Sequence, residues 1–197
     1  DLAAGEFVCI MGPSGSGKST LLYALSGMEP VDGGEVLFEG QPLSGLSDNA
    51  LSDLRRNRMG FVFQQPALLT NLNILDNIVL PQIRDHRRSG KQLLKKAQTL
   101  MDRVGIGDLG QREITQVSGG QLQRAGICRA LMCEPAIILG DEPTGALNSK
   151  AASEVMELFF QINAGGTAIL LVTHDANVAA WAGRVLFMLD GKIAGQL

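Results

Sequence analysis

The chain has 197 residues, of which 45% are hydrophobic and 19% charged, and its formal net charge is −3 at pH 7. The length suits one well-buried α/β domain, and this composition excludes a largely disordered chain. There is no overall positive field to hold a phosphate backbone, which disfavours binding to nucleic acid. The apolar runs have the length of strands and are far too short to span a membrane.

The first predicted elements are a strand at 6–11, a glycine-rich loop and a helix. The loop, GPSGSGKST, fits the phosphate-binding pattern G-x-x-x-x-G-K-[ST]. Gly15 and Gly17 lack the β-carbon that would keep the backbone from wrapping a phosphate. Lys18 is placed to reach the β- and γ-phosphates, and the Ser19 hydroxyl to bind Mg²⁺. The candidate nucleotide-binding residues are Gly12, Pro13, Ser14, Gly15, Ser16, Gly17, Lys18, Ser19 and Thr20.

Two further strands are predicted next. Residues 33–43 form an apolar run bounded by glycine and proline, and residues 59–65 form another that ends in glutamines. The amide of Gln64, carried on a mobile segment, can reach both a metal ion and an attacking water. A glutamine at the end of a strand is more often only a polar cap, so Gln64 by itself is a weak signal.

The segment from about 66 to 134 is predicted to be mainly helical. Apolar residues at helical spacing predict a helix over 89–104, where Ser89 and Gln92 form a capping box. Later in this segment a second predicted helix begins after the motif Ser118, Gly119, Gly120 and Gln121. A helix start with free backbone N–H groups and a positive dipole end binds anions. The chain therefore has two candidate phosphate cradles.

Strands and helices alternate again after residue 135, which predicts a parallel sheet. The strand at 136–142 ends in two carboxylates. Asp141 suits Mg²⁺, directly or through water, and Glu142 can take a proton from an attacking water. The alternative is a solvated acidic turn. The next strand ends at His174, whose imidazole can bind a γ-phosphate, although a lone histidine there is more often structural.

The chain is predicted to continue with helices at 150–163 and 176–183 and to end in two strands joined by a hairpin turn at Asp190–Gly191. It opens at Asp1 without an initiator methionine and runs straight into a strand, so we expect a fragment that lacks both ends. The three cysteines lack the spacing of a disulfide framework or a zinc site and are predicted to be buried, reduced thiols: Cys9, Cys128 and Cys133.

Taken together, the motifs resemble the ATP-binding subunit of ABC transporters. They occur in the family's order: GPSGSGKST, Gln64 in FVFQQ, VSGGQ, IILGDEPT, GALN and His174 in VTHD. The resemblance extends over 12–175. Within the family, the sequence looks most like the small subunits of lipoprotein-release, macrolide-export and antimicrobial-peptide-resistance systems.

The resemblance implies an α/β fold, the P-loop NTPase, with a mainly parallel sheet core, an antiparallel β part and a helical signature subdomain. The whole chain, 1–197, would be a single domain, with 1–65 and 135–197 as the catalytic core and 66–134 as the helical subdomain. It implies ATP and Mg²⁺ as cofactors, with Glu142, His174 and Gln64 as catalytic residues. The metal would be held by Ser19, Gln64 and Asp141.

The resemblance also implies partners. In this family the signature motif, here Ser118 to Gln121, covers the γ-phosphate bound by a second subunit, so ATP joins two chains head to tail. The second partner is a membrane permease, which places the chain in the cytoplasm on the inner face of the cell membrane, and no nucleic acid is expected. Two groups of arginines could contact the permease or lipid headgroups, although a solvated face is favoured: Arg55, Arg56 and Arg58, and Arg84, Arg87 and Arg88.

Two departures from the family pattern matter. Asn148 stands where relatives usually have an aspartate. Asparagine has the same size but no charge, so contacts across the dimer are expected to change. Relatives also stack adenine on an aromatic residue upstream of the phosphate loop, but the first aromatic here, Phe7, lies inside the strand. That stacking residue is expected before Asp1 or is absent.

Two other functions stay open. Chromosome-organising and repair ATPases use a similar two-chain site, but coiled coils separate its halves, and between Gln64 and Ser118 the sequence is short and has no heptads. A module that closes on ATP without hydrolysing it is suggested by Asn148, and the intact Glu142 argues against it.

Overall fold

The computed structural model describes residues 1–83 and 89–196. Its strands are β1 (Phe7–Met11), β2 (Leu37–Phe38), β3 (Gln41–Pro42), β4 (Met59–Phe63), β5 (Ile137–Asp141), β6 (Ala168–Thr173), β7 (Arg184–Leu189) and β8 (Lys192–Gln196). Its helices are α1 (Lys18–Leu25), α2 (Asp48–Arg58), α3 (Ile74–Val79), α4 (Gly90–Arg103), α5 (Gly119–Leu131), α6 (Ser149–Ala164) and α7 (Ala176–Ala179). Short 3₁₀ turns cover Leu80–Gln82, Gly107–Leu109 and Ile114–Gln116.

The main sheet has six strands in the order β4-β5-β6-β1-β7-β8. All neighbours are parallel except β7 and β8, which pair antiparallel. β6 is buried along its whole length, as a strand covered by helices on both faces must be. Asp190 and Gly191 both have positive φ, 48° and 76°, as a tight hairpin turn requires. The predicted parallel α/β sheet and terminal hairpin are confirmed.

The strand predicted over 33–43 is wrong in extent. The chain there forms two strands of two residues each, β2 and β3, which pair antiparallel in a sheet of their own. Glu39 and Gly40 turn the chain with φ of 50° and 79°, which no continuous strand tolerates. Helix α2 follows without having been predicted. Ser47 caps it by accepting a hydrogen bond from the Ala50 N–H at 3.3 Å, but none of its residues is buried, so it leaves little apolar periodicity in the sequence.

Helices cover both faces of the sheet. On one face α1 packs Leu22 against the strand residues Val8 and Leu139. On the other, α6 packs Phe159 against Ile138 and related strand residues. A third apolar cluster lies among α3, α4 and α5, so these helices have a core of their own. The capping box predicted for α4 at Ser89 is present, and the domain partition at 65/66 and 134/135 stays a prediction.

The first group of arginines only partly matches a solvated face. Arg56 and Arg58 are exposed and pair with Asp53 and Glu39. Arg55 is half-buried and donates to the Gly27 carbonyl oxygen at 2.7 Å, which ties α2 to the end of α1. The other group, Arg84, Arg87 and Arg88, lies outside the described residues.

The cysteines and the helices of the described chain bear on two further expectations. Cys9 and Cys128 are buried thiols, whereas Cys133 is partly exposed, so the prediction of burial holds for two of the three. Within 1–83 and 89–196, none of the helices has the length and apolar character to cross a bilayer.

Candidate functional site

The glycine-rich loop lies between β1 and α1, against the β7–β8 hairpin. A β-carbon on Gly12 would come within 2.1 Å of the Met188 carbonyl oxygen, so no larger residue fits there. Gly17 caps α1 with a φ of 94°, a conformation that L side chains rarely adopt. The Gly191 N–H donates to the Ser16 carbonyl at 3.0 Å. The hairpin therefore packs against the glycine-rich loop and is hydrogen-bonded to it.

Lys18 spans its own loop. It is 7% exposed, and its Nζ donates to the carbonyl oxygens of Gly12 and Pro13, at 2.9 Å each. These two bonds hold the ammonium group at the mouth of the loop. A buried lysine held only by neutral carbonyls has unsatisfied charge, which an anionic ligand in the loop would neutralise.

The Asp141 carboxylate, at the end of β5, receives two hydroxyl groups from α1. Ser19 Oγ donates to Oδ1 and the Tyr23 hydroxyl donates to Oδ2, both at 2.8 Å. Tyr23 was not singled out from the sequence, although its i+4 spacing from Ser19 puts both on one helix face. Burial, followed by the hydrogen bond to Asp141, raises the pKa of Tyr23 to about 12, so its hydroxyl stays protonated at neutral pH.

Glu142 has the left-handed backbone conformation, with a φ of 47°, which is rare for a residue other than glycine. Its N–H donates to the Val172 carbonyl at 3.0 Å, so the neighbouring strand β6 holds it there. The carboxylate is held at both oxygens. His174 Nδ1 lies 2.7 Å from Oε1, and the Thr173 hydroxyl donates to Oε2 at 2.8 Å.

Thr173 is a second site residue that sequence reasoning missed. It is 1% exposed, and its hydroxyl also accepts the Asp175 N–H at 3.1 Å. Because that N–H occupies a lone pair of the oxygen, the hydroxyl proton is directed at Glu142. Its position directly before His174 was the only available signal. Cys9 lies nearby as a thiol, since burial, and then the Glu142 charge, raise its pKa to about 12.

Gln64 lies exposed just past β4. Its Nε2 is close enough to Gly145 that a β-carbon on that glycine would approach within 3.0 Å. The preceding residue, Phe63, accepts a hydrogen bond at its carbonyl from Gln123 Nε2 at 3.0 Å. Gln123 is a buried residue of the signature helix α5, with 1% exposure. The segment that carries Gln64 is thus tied to α5.

One cavity of about 620 Å³ brings together predicted residues from four parts of the chain. Its walls come from the glycine-rich loop and the ends of β4, β5 and β6. The lining residues are Pro13, Ser14, Gly15, Gly17, Lys18, Ser19, Thr20, Gln64, Glu142 and His174. Three predicted residues do not line this cavity: Gly12, Ser16 and Asp141. Two of them are hydrogen-bonded to lining residues, since the Gly12 carbonyl accepts from Lys18 and the Asp141 carboxylate from Ser19.

The donor atoms at this cavity fit Mg²⁺. The Ser19 hydroxyl, the Asp141 carboxylate and the Gln64 amide offer only oxygen ligands, which Mg²⁺ prefers. In the described part of the chain no group of three His, Cys, Asp or Glu residues could hold a metal ion. This suits a cation that is held by one or two protein ligands and by the phosphates of its nucleotide.

The motif Ser118 to Gln121 lies elsewhere, at the start of α5. Gln121 donates its N–H to Ser118 Oγ at 3.3 Å, and Gln121 Oε1 accepts the Ser118 N–H at 2.8 Å. The Ser118 N–H, predicted to be free, is therefore used by this capping box. The N–H groups of Gly119 and Gly120 are in the first turn, where a helix supplies no acceptor, and they are available to an anion.

A second cavity, of about 420 Å³, opens in front of this motif. Arg124 and Glu154 form an ion pair at its wall, and Arg124 also donates to the Val104 carbonyl at 2.7 Å. Asn148 lines it and caps α6 by accepting the Ala151 N–H at 2.9 Å. The two cavities have no lining residue in common. In one chain, the structure does not bring the signature motif to the glycine-rich loop.

Comparisons with known proteins agree with this geometry. The family model described as "ABC transporter" matches residues 1–145. The chain is 43% identical over 192 residues to the lipoprotein-releasing system ATP-binding protein LolD 1 of Rhodopseudomonas palustris, covering 97% of this chain and 85% of the relative. It is 43% identical over 189 residues to the macrolide export ATP-binding/permease protein MacB of Aggregatibacter actinomycetemcomitans, covering 96% of this chain and 29% of that longer protein.

Solved structures show the same similarity. A dimeric post-hydrolysis state of the ATP-binding cassette MJ0796, bound to ADP and Pi, superposes with a TM-score of 0.92 at 39% sequence identity. The match covers 100% of this chain and 87% of that one.

Proposed function

Because this chain belongs to the ABC transporter family, as an ATP-binding subunit with ATPase activity, we propose that it drives a membrane permease by closing with a second copy around ATP. The observation that carries this proposal is the separation of the two cavities. Each chain has a complete phosphate loop and an unused anion-binding helix start, and neither can serve the other within one chain. Two chains placed head to tail satisfy both.

In this proposal the glycine-rich loop and Lys18 bind the phosphates of ATP. Ser19, Gln64 and Asp141 hold Mg²⁺, which neutralises charge on the β- and γ-phosphates when it is bound. Glu142 accepts the proton of the attacking water, and His174 donates a hydrogen bond to the γ-phosphate. Gln64, exposed at the cavity wall, orients the water.

The positions of the Glu142 oxygens support its role as a base. Oε2 is held by Thr173, and Oε1 faces His174 at the cavity. Thr173 can keep hold of Oε2 while His174 turns from Oε1 to the γ-phosphate, which would leave Oε1 to the attacking water. A carboxylate whose rotation is restricted in this way is already oriented for proton transfer.

The signature motif would act on the nucleotide of the partner copy. The N–H groups of Gly119 and Gly120 and the Ser118 side chain would contact its γ-phosphate, with Gln121 holding Ser118 in place through the capping box. ATP then joins the two chains because it contacts both, and hydrolysis removes that joint.

The names of two relatives support a proposal about the kind of molecule that is transported. LolD is named for lipoprotein release and MacB for macrolide export. We place this subunit on the cytoplasmic face of a membrane, beside a permease that moves a lipoprotein, a peptide or a drug-like molecule outward. The exposed apolar residues Met28 and Ile83 lie on the described surface and are available to such a partner.

Dimerisation tests the two-chain site. In a Glu142→Gln background, where hydrolysis is slow, we expect the protein to be monomeric without nucleotide and dimeric with ATP and Mg²⁺. Adding Ser118→Arg should prevent the dimer and leave ATP binding by the monomer within about twofold, since the arginine fills the second cavity and not the first. Light scattering and calorimetry measure the two effects.

The matched control is Thr99→Arg, which adds the same cation on an exposed part of α4 outside the second cavity. It should dimerise like its parent. Dimerisation of the Ser118→Arg variant, or loss of ATP binding by its monomer, would show that the signature motif serves its own chain.

A second prediction concerns Thr173. Thr173→Val keeps the shape of the side chain and removes the hydroxyl that holds Glu142. We expect the turnover number to fall at least about tenfold, because one hydrogen bond to a charged group contributes roughly 1.5–3 kcal/mol, and we expect ATP affinity to be unchanged. Thr173→Ser should retain most turnover. Steady-state phosphate release and calorimetry give the two numbers, and a parallel loss of affinity would point to a merely structural role.

A further inference from the structure

Tyr23 has no part in the proposed function, yet its hydroxyl reaches the candidate metal ligand Asp141. Ser19 and Tyr23 lie one turn apart on α1 and donate to Oδ1 and Oδ2 of the same carboxylate, both at 2.8 Å. One face of one helix thus holds both oxygens of Asp141. With one oxygen held, a carboxylate can still rotate, and with both held it cannot.

The two donors differ in what else they have to do. Ser19 is itself proposed as a ligand of Mg²⁺, so its hydroxyl oxygen would be shared between the metal and Asp141. The Tyr23 hydroxyl has no such second role and stands at the end of a rigid ring. Tyr23 is therefore the donor that can keep hold of Asp141 throughout.

The backbone of Tyr23 is anchored as well. Its carbonyl oxygen accepts the Ser26 hydroxyl at 2.8 Å and the Met28 N–H at 2.9 Å, where α1 ends. These bonds fix the last turn of α1 and so fix where the ring begins.

Packing alone is the competing explanation. Tyr23 is partly buried and contacts the apolar cluster between α1 and the sheet. If the ring served only that cluster, phenylalanine would replace it without any effect on the site. The Tyr23 hydroxyl lies within hydrogen-bond distance of the Asp141 carboxylate, which favours a role at Asp141.

We propose that Tyr23 is a positioning residue, which holds the Asp141 carboxylate in the orientation that Mg²⁺-dependent nucleotide binding requires. The inference rests on the proposed Mg²⁺–ATP function. Tyr23 contacts neither nucleotide nor metal in this scheme. Its effect passes entirely through Asp141 Oδ2.

The test compares Tyr23→Phe with the parent protein. The affinity for a fluorescent ATP analogue is measured first in EDTA and then at increasing Mg²⁺. We expect the Mg²⁺ concentration that gives half of the gain in affinity to rise at least about tenfold, as loss of one hydrogen bond to a charged group implies. Affinity in EDTA should change less than twofold, because the phosphate loop is untouched.

Asn163→Ala is the control for a loss of stability. It removes two side-chain hydrogen bonds, to the carbonyl oxygens of Gly5 and Thr167, without touching α1 or Asp141. Its stability should fall at least as far as that of Tyr23→Phe, and its Mg²⁺ dependence should match the parent. A role in packing alone predicts that both variants behave alike.

The outcomes separate the two proposals. If the parent protein gains no affinity from Mg²⁺, the proposed Mg²⁺–ATP function is wrong, and the role of Tyr23 falls with it. If the parent does gain affinity, and Tyr23→Phe follows the same Mg²⁺ curve or loses affinity equally in EDTA, the role of Tyr23 alone is overturned.

Discussion

Glu142→Gln is expected to lower ATP turnover by at least about a hundredfold, the lower end of what a general base contributes. Glutamine has the size of glutamate, and its amide oxygen can still accept the Thr173 hydroxyl that now bonds Oε2 at 2.8 Å. What disappears is the ability to take a proton. ATP binding should therefore persist, and the complex with ATP should accumulate. Phosphate release and nucleotide affinity, measured on the same preparation, test both halves of this expectation.

The control is Glu157→Gln, the same substitution at an exposed position on α6 outside both cavities. Its turnover should match the parent. If Glu142→Gln retained more than about a tenth of the parent's turnover, another group would have to accept the proton. His174, 2.7 Å from Glu142 Oε1, would then be the first residue to replace.

Lys18→Ala should weaken ATP binding by about a hundredfold or more. Each charge-assisted hydrogen bond to a phosphate contributes roughly 1.5–3 kcal/mol, and the ammonium is positioned to make more than one. The substitution also leaves the carbonyl oxygens of Gly12 and Pro13 without the donor that each has at 2.9 Å. The empty loop is therefore expected to lose stability too. Calorimetry measures the affinity and thermal unfolding the stability.

Lys91→Ala removes a lysine of the same charge at an exposed position on α4 and should leave both quantities unchanged. Undiminished ATP binding by the Lys18→Ala protein, with a folded state comparable to the parent, would be incompatible with the phosphate loop proposed here.

The sequence predicted the parts of the site in which local chemistry and position coincide. The glycine-rich loop is one, because its spacing and the flanking strand and helix are both visible along the chain. Asp141 and Glu142 are another, since carboxylates that end a buried strand face the ligand edge of a parallel sheet. For the sheet, the sequence predicted only that it is mainly parallel. The order of its strands depends on contacts between distant segments, which no local pattern shows.

The rest depended on contacts between distant segments. Thr173 reaches Glu142 only because β5 and β6 are neighbours with Asp141 opposite Val172. Tyr23 reaches Asp141 only because α1 packs on that end of the sheet. The capping bond that occupies the Ser118 N–H was missed, although Ser118 and Gln121 have the spacing that predicted the capping box at Ser89. Helix α2 was missed because none of its residues is fully buried, and helix prediction relies on a stripe of buried apolar residues.

The hydrogen bond from Gln123 to the Phe63 carbonyl has an energetic consequence. It is buried, so pulling the Gln64 segment away from α5 would expose or orphan its partners at a cost of about 1–3 kcal/mol. The cheaper motion moves the strand end and the signature helix as one lever. In the proposed head-to-tail pair, the segment that carries Gln64 at one nucleotide site would move together with the signature motif of the other site. Any effect of nucleotide in one site on the affinity of the other would then be reciprocal, so we expect ATP binding by the pair to be cooperative.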